Sequence, residues 1–575
     1  MQFLKIYVKR YWKLFCAAVM CLTLEAFCDL MQPTIMSKIV DVGVAEKQMG
    51  YVIKMGGLML MVAAIGAAAA VSRNIIASNV SQRFGAELRA DIFTKIHSFS
   101  FDNIDKFETA SLITRLTNDV TQVQNFVNGL MRIFVKAPLL CLGSLVMAAR
   151  LNLHMALVLL AVVPIVAIIL FVNMKIGFPY FTKIQKALDG VNGVIREYLS
   201  GVRVVKAFNR FDYEETRFKR ANDELTGLSV TAMRVMAIFS PSITLTVNFG
   251  IVAILWLGGL GVNKGSIHVG QIIAFINYMT QILFSLMMIS FVFTMFVRAK
   301  ASAERIGEVF QEENGMKTKE NPKEMFDLKG RVDFHNVCFS YSGTIGEPVI
   351  KNITFTCKPG ETVGIIGSTG SGKSSLVNLI PRFYDATTGS VKVNGVDVKD
   401  IDSKKLREKI AMVSQKTVLF TGSIIDNIKW GKEEASFQEV ERAAEASGAH
   451  KFIEAFPEGY DTKLGQGGVN LSGGQKQRIS IARALIKKPE VLILDDCTSA
   501  VDVATEGKIR EALKEYSCGI TCLVVAQRIT SVMDADKIVV LDNGEIVGIG
   551  KHDELMDNCE VYQDIFHSQL GKEMM

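Results

Sequence analysis

The sequence predicts a multi-domain fold, a six-helix all-α membrane region with long helical extensions followed by an α/β domain. Two observations predict it: apolar segments of about 20 residues or more recur in the first half, and a glycine-rich loop sits between strand-like and helix-like runs in the second. The chain has 575 residues and is 49% hydrophobic, with positive mean hydropathy. That is too long for one domain and too apolar for an ordinary soluble protein of this size.

The apolar segments lie near residues 14–39, 52–76, 130–149, 153–172, 235–259 and 272–296. Six spans return both chain ends to one side. Lys5, Lys9, Arg10 and Lys13 precede the first span, and the polar segments 79–129 and 174–234 carry many further basic residues. The other loops hold little beyond Lys47, Arg150 and Lys264, so the basic side is expected to be cytoplasmic. Basic inward loops account for the net charge of +6 without nucleic acid as a partner. No signal peptide is expected, because the basic start runs into a full-length span. The first dozen residues, with Phe3, Ile6, Tyr7, Lys9, Arg10 and Trp12, suit either an interfacial elbow helix or the flank of the first span.

The two inner segments are much longer than ordinary loops and read as helical, as in 83–93 and 191–225. The spans are therefore expected to extend well beyond the membrane. These boundaries give a membrane domain at 1–310, a polar Gly- and Pro-containing linker at 311–330 and an α/β domain at 331–575.

Charges within spans are costly and commonly functional. Glu25 and Asp29 are four apart on one face of the first span, with Gln32 and Pro33 beyond. They suit a cavity for cationic cargo or polar packing against a neighbouring helix. Lys136, Arg298 and Lys300 are expected to line the inner mouth or snorkel to headgroups. Pro138, Pro164 and Pro241 read as tolerated kinks. The ten cysteines (16, 21, 28, 141, 338, 357, 497, 518, 522 and 559) form no C-x-x-C pair, and reduced thiols are the default.

In the second half, Gly367, Ser368, Thr369, Gly370, Ser371, Gly372, Lys373 and Ser374 fit G-x-x-x-x-G-K-[ST]. The strand-like run 361–366 precedes them, and a helix-compatible run from Ser375 follows. That is the context a phosphate loop requires. Backbone N–H groups and a helix start would close on the phosphates of ATP, Lys373 would pair with the outer phosphates, and the Ser374 hydroxyl would coordinate Mg2+. The apolar run 491–494 ends in Asp495, a second magnesium-holding oxygen donor.

Leu471, Ser472, Gly473, Gly474 and Gln475, just upstream of that strand, closely resemble the signature of ATP-binding cassette (ABC) proteins. The resemblance runs from about Gly330 to Met575. It implies that Tyr341 stacks on adenine and that Gln415 is the Q-loop glutamine, a further magnesium ligand. It also implies that 499–502 form the D-loop, with Val501 where leucine is usual, and that Gly465, Gln466 and Gly467 form the exporter X-loop, with Gln466 where glutamate is common. In this family two cassettes close head to tail, so Ser472 and Gly474 would serve a partner's nucleotide. The first half resembles the membrane domain of type IV exporters, which implies coupling helices, here assigned to 102–109 and 209–216.

Two catalytic positions depart from the pattern. Asp496 stands where the family has its glutamate base, and Gln527 stands where it has a histidine. Aspartate is one methylene shorter, so its carboxylate falls about 1.5 Å short of the attacking water. Glutamine carries neither a titratable proton nor a positive charge. Together they resemble the degenerate half of heterodimeric exporters, such as bacterial multidrug pairs and one half of the antigen-peptide transporter. The expectation is a half-transporter surrounded by lipid in a bacterial cytoplasmic membrane, with its cassette in the cytoplasm, paired with a second half-transporter whose glutamate and histidine are intact. A homodimeric exporter with weak ATPase and an ATP-gated channel or regulatory subunit are the alternatives. The transported substrate is left open among drugs, lipids and peptides.

Overall fold

A computed structural model describes residues 4–316, 322–325, 328–341, 347–497, 506–507, 509, 511–512 and 519–570. The chain divides into two compact units, residues 1–97 with 108–312, and residues 98–107 with 313–575. Residues 499–502, read as the D-loop, lie outside the described residues.

The first unit contains six helices long and apolar enough to cross a membrane: Lys5–Val44, Met49–His97, Thr109–Leu151, Leu153–Ser200, Phe211–Asn263 and Val269–Gln311. They enclose the six apolar segments and continue past them as polar extensions. Residues 5–13 continue the first helix without a break, so they are its flank rather than a separate elbow. Tyr11 Oη and Arg10 Nη1 both donate to Glu87 on the second helix, at 2.8 and 2.7 Å.

Where lipid is as apolar as leucine, helices associate by close packing of small residues. An added Cβ at Gly250 would stand 2.9 Å from Val162, and one at Gly258 would stand 2.7 Å from Ile272. Tyr278, fully buried, donates its hydroxyl to the carbonyl of Leu30 at 2.8 Å and meets Thr34 Oγ1 at 2.7 Å. In the polar extensions, buried Asp119 accepts from Ser302 Oγ at 2.9 Å and from Arg305 Nε at 2.8 Å. That network ties the third helix to the sixth.

The carboxylates of the first span are paired. Glu25 meets Arg73 Nε at 3.0 Å and Lys136 Nζ at 2.5 Å, and Asp29 meets the same Lys136 at 3.0 Å. The structure thus narrows two expectations. Lys136 does not snorkel to headgroups, because two carboxylates hold it, although it lines a groove beside Arg73, Asn128 and Arg132. Of the two readings of Glu25 and Asp29, the pairing with Arg73 and Lys136 on neighbouring helices matches polar packing rather than a cavity for cations.

The second unit holds a six-stranded sheet and a smaller antiparallel one. The strands are β1 (Val332–Phe339), β2 (Ile350–Cys357), β3 (Thr362–Gly367), β4 (Thr388–Val393), β5 (Val396–Asp397), β6 (Ile410–Val413), β7 (Gly422–Ser423), β8 (Lys463–Leu464), β9 (Val491–Asp495), β10 (Thr521–Val525), β11 (Lys537–Asp542) and β12 (Glu545–Gly550). The large sheet has the order β12-β11-β3-β10-β9-β6, parallel except for β12. Its inner strands are buried on both faces, so β9 reads as a continuous apolar run rather than an alternation. The second sheet is β2-β1-β4-β5.

The short helix Phe101–Phe107 groups with this second unit. Tyr384 donates its hydroxyl to Asp105 at 2.9 Å, and the Phe101 and Phe383 rings lie 4.8 Å apart. The other assigned coupling stretch, 209–216, is not a short helix. Asn209 turns at φ +50, and the long fifth helix starts at Phe211 with Asp212 and Glu214 in its first turn. Acidic residues favour a helix N-terminus, so the new helix begins there and the short helix falls earlier, at Val202–Ala207.

Candidate nucleotide site

The carboxyl ends of β3, β6, β9 and β10 bring together most of the residues singled out in the cassette, as expected for a ligand site in an open parallel sheet. The loop from Gly367 to Gly372 joins β3 to the helix Lys373–Asn378. Gly370 and Gly372 have φ of +86 and +91. A Cβ at Gly372 would also stand 2.9 Å from the carbonyl oxygen of Val349, so only glycine allows the tight turn.

Lys373 is mostly buried and folds back along the loop, donating to the carbonyls of Gly367 and Ser368 at 2.9 and 2.7 Å. Burial pulls its ammonium below the ordinary range, and Asp496 and Asp495 partly oppose that. Ser374 Oγ donates to Asp495 Oδ1 at 2.9 Å. A hydroxyl and a carboxylate in contact at the loop's mouth are the oxygen donors a magnesium ion prefers, so these residues fit the ion. Burial raises the Asp495 carboxyl, and the Ser374 bond opposes the rise. Tyr341 meets Ser375 Oγ at 2.9 Å and packs edge-on against Tyr384 at 5.2 Å.

Asp496 follows the end of β9 in the left-handed region, φ +47, which aspartate tolerates better than most residues. Its N–H donates to the Val525 carbonyl at 2.9 Å. Both Gln415 Nε2, at 3.0 Å, and Gln527 Nε2, at 2.8 Å, donate to the same oxygen, Oδ2 of Asp496. Burial pushes the Asp496 carboxyl up, while the Gln415 bond and the Lys373 and Arg528 charges pull it down. Gln527 is itself braced: its carbonyl accepts from Gln569 Nε2 at 2.8 Å, and Gln569 Oε1 accepts from Ile529 N at 2.8 Å. Gln569 lies on the helix Glu560–Leu570. No sequence pattern marks this glutamine, because it is remote in the chain and makes its contacts through one amide.

Cys497, next to Asp496, is buried, and burial pushes its thiol up; the Cys522 thiol is pushed up to about 12. Both are inert core side chains at neutral pH.

The signature residues stand apart. Ser472 caps the helix Gly473–Leu485: Gln475 N donates to Ser472 Oγ at 3.3 Å, and Ser472 N donates to Gln475 Oε1 at 2.9 Å. The cap aligns the first turn, and Ser472 and Gly473 are exposed. Leu471 is buried beneath them. The start of a 13-residue helix, with glycines at its first two positions, is thereby open to an external anion. Gly467 and Gly468 of the preceding loop turn at φ +64 and +65.

Residues 15–287 match the ABC transporter transmembrane region, and residues 350–499 match the ABC transporter cassette. An ABC transporter ATP-binding protein of Bacillus subtilis, YfiB, is 41% identical over 567 residues, covering 99% of this chain and 98% of that one. The chain belongs to the ABC transporter family. An ATP-dependent lipid A-core flippase of Desulfotalea psychrophila is 35% identical over 495 residues, 86% of each chain. The solved structure of a bacterial Atm1-family ABC exporter with ATP bound superposes with a TM-score of 0.80 over 97% of this chain and 98% of that one, at 24% identity. This ABC transporter thus has the exporter fold, an integral membrane protein with a nucleotide-binding cassette that works as a dimer of half-transporters.

Proposed function

We propose that this chain is the degenerate half of a heterodimeric ATP-driven exporter. Its own phosphate loop holds ATP with slow or no hydrolysis, and its signature completes a hydrolytic site on a partner with an intact glutamate and histidine. The observation that carries this reading is Asp496, whose Oδ2 is claimed by two amide donors, Gln415 and Gln527. A general base must reach the attacking water and accept its proton. Here the carboxylate is short, one of its oxygens is already occupied twice, and the residue at the histidine position carries no charge.

In this reading Gly367 to Ser375 cradle the phosphates, Tyr341 stands beside the base, and Ser374, Asp495 and Gln415 hold Mg2+, which when bound neutralises phosphate charge. Ser472, Gly473 and Gly474 present the signature helix to the partner's nucleotide. The basic inner segments support a cassette on the cytoplasmic side of a bacterial inner membrane.

The test is turnover. The purified chain alone should bind ATP with little hydrolysis, and the complex with its partner should be active. A lone chain that turns over within the ordinary enzyme range of about 1–10³ s⁻¹ would overthrow the proposal.

A further inference from the structure

The C-terminal helix Glu560–Leu570 reaches the nucleotide site through one side chain. Tyr562, fully buried, packs with Ile366 of β3 and with Ala526 and Ile529, which follow β10. Its hydroxyl meets His552 Nδ1 at 2.8 Å. Ile565 and Phe566 pack against the same cluster. Positions three, four and seven beyond Tyr562 lie on one helix face, so the last of them, Gln569, is carried to the loop that leaves β10.

There the sheet runs out. β10 ends at Val525, Ala526 N still donates to the Ile365 carbonyl at 3.1 Å, and the chain continues extended through Arg528, with φ −92 and ψ 130. Gln569 takes the place of a neighbouring strand: its Nε2 donates to the Gln527 carbonyl and its Oε1 accepts from Ile529 N, both at 2.8 Å. A primary amide carries a donor and an acceptor side by side, so one side chain grips residues i and i+2 as a parallel strand would. The gripped residue is the one that engages Asp496. Gln527 Nε2 donates to Asp496 Oδ2 at 2.8 Å, and its backbone N–H bonds the same carboxylate. Three residues thus form a line from the C-terminal helix to a carboxylate whose charge acts on Lys373 of the phosphate loop.

We propose that Gln569 is a positioning residue of the nucleotide site, which holds Gln527 on the Asp496 carboxylate and so keeps that charge from driving the nucleotide out. A carboxylate freed of its donors in a poorly solvated site repels phosphate more strongly than one in water. Gln415 still donates to Oδ2 at 3.0 Å when Gln527 is released, so the expected loss is partial. Gln569 is exposed and its replacement leaves no cavity, while Tyr562 keeps the helix in place. The role goes beyond the asymmetric-cassette reading and holds whether or not this site hydrolyses ATP.

The experiment loads the purified full-length chain with a fluorescent β,γ-imido analogue of ATP and Mg2+, and follows release of the analogue during a chase with ATP. Gln569→Ala should speed release about three- to tenfold, the scale of one or two neutral hydrogen bonds. Ser568→Ala, on the same turn, removes a hydroxyl that donates to the Ile565 carbonyl of its own helix at 3.1 Å and should release at the wild-type rate. In an Asp496→Ala background, Gln569→Ala should add nothing, because the carboxylate it acts through is gone; a contact that merely supports the fold gives additive effects. Unchanged release in Gln569→Ala, equal acceleration in Ser568→Ala, or a full Gln569→Ala effect in the Asp496→Ala chain overturns the proposal. Because the analogue is not hydrolysed, each of these results leaves the asymmetric-cassette reading to its own turnover test.

Discussion

On the proposed reading the cassette has two faces that handle nucleotide, and they differ in what the chain has kept. At the phosphate-loop face the binding parts are whole: the positive-φ glycines, Lys373 on the loop, and Ser374 against Asp495. The position that should do chemistry there is a short carboxylate held by two glutamines. At the signature face nothing is altered: Ser472 and Gln475 close a reciprocal cap, and two exposed or half-exposed glycines start the helix. On the proposed reading, binding and hydrolysis are separable properties of one cassette. A chain can keep an anion-binding loop and lose its base, because the two lie on different strand ends, β3 and β9.

The largest effect should come from the signature face. Ser472→Ala in the complex should lower ATPase by about a hundred- to a thousandfold, comparable to removing a donor from a preorganised anion site, as read by steady-state phosphate release. Next is the loop. Lys373→Ala removes a charge-assisted contact worth roughly 1.5–3 kcal/mol, and nucleotide occupancy at this site should fall by about one to two powers of ten. Transport should slow while the partner's site keeps measurable hydrolysis, and inter-cassette distances should show more open dimers at saturating ATP. Normal transport with an unchanged distance distribution would mean that nucleotide here is dispensable.

A smaller gain is expected from repair. Asp496→Glu with Gln527→His should raise turnover at this site several-fold in the complex, since general base catalysis contributes about 10²–10⁴-fold when geometry is right and the Gln415 amide still faces the carboxylate. Gln527→His alone should give little, because the carboxylate remains short. The smallest effect is Asp496→Ala, which should change the ATPase of the complex by less than about twofold. Equal losses from Asp496→Ala and Ser472→Ala would argue for two equivalent sites.

The fold and most of the candidate site were legible in the sequence because they rest on local patterns. Span length, the buried-strand run of β9 and the loop between β3 and its helix each follow from residues adjacent in the chain. What was hidden depends on distance. Glu25 and Asp29 left a cation cavity and polar packing both open, because the partners of Glu25, Arg73 and Lys136, are 48 and 111 residues away. The short second helix was placed too late, because the turn at Asn209 is a backbone choice that polarity alone does not reveal. The shared grip of Gln415 and Gln527 on one oxygen of Asp496 was equally invisible, since 81 and 31 residues separate them from it.

The asymmetry is tested most directly by following the γ-phosphate at each site. The complex is loaded with photoreactive ATP labelled on either the α- or the γ-phosphate, allowed many turnovers, crosslinked, and the two chains separated. This chain should retain γ-label as well as α-label, while the partner keeps α-label and loses γ-label. Loss of γ-label from both chains at the same rate would contradict a nucleotide held unhydrolysed beside Asp496 and Gln527.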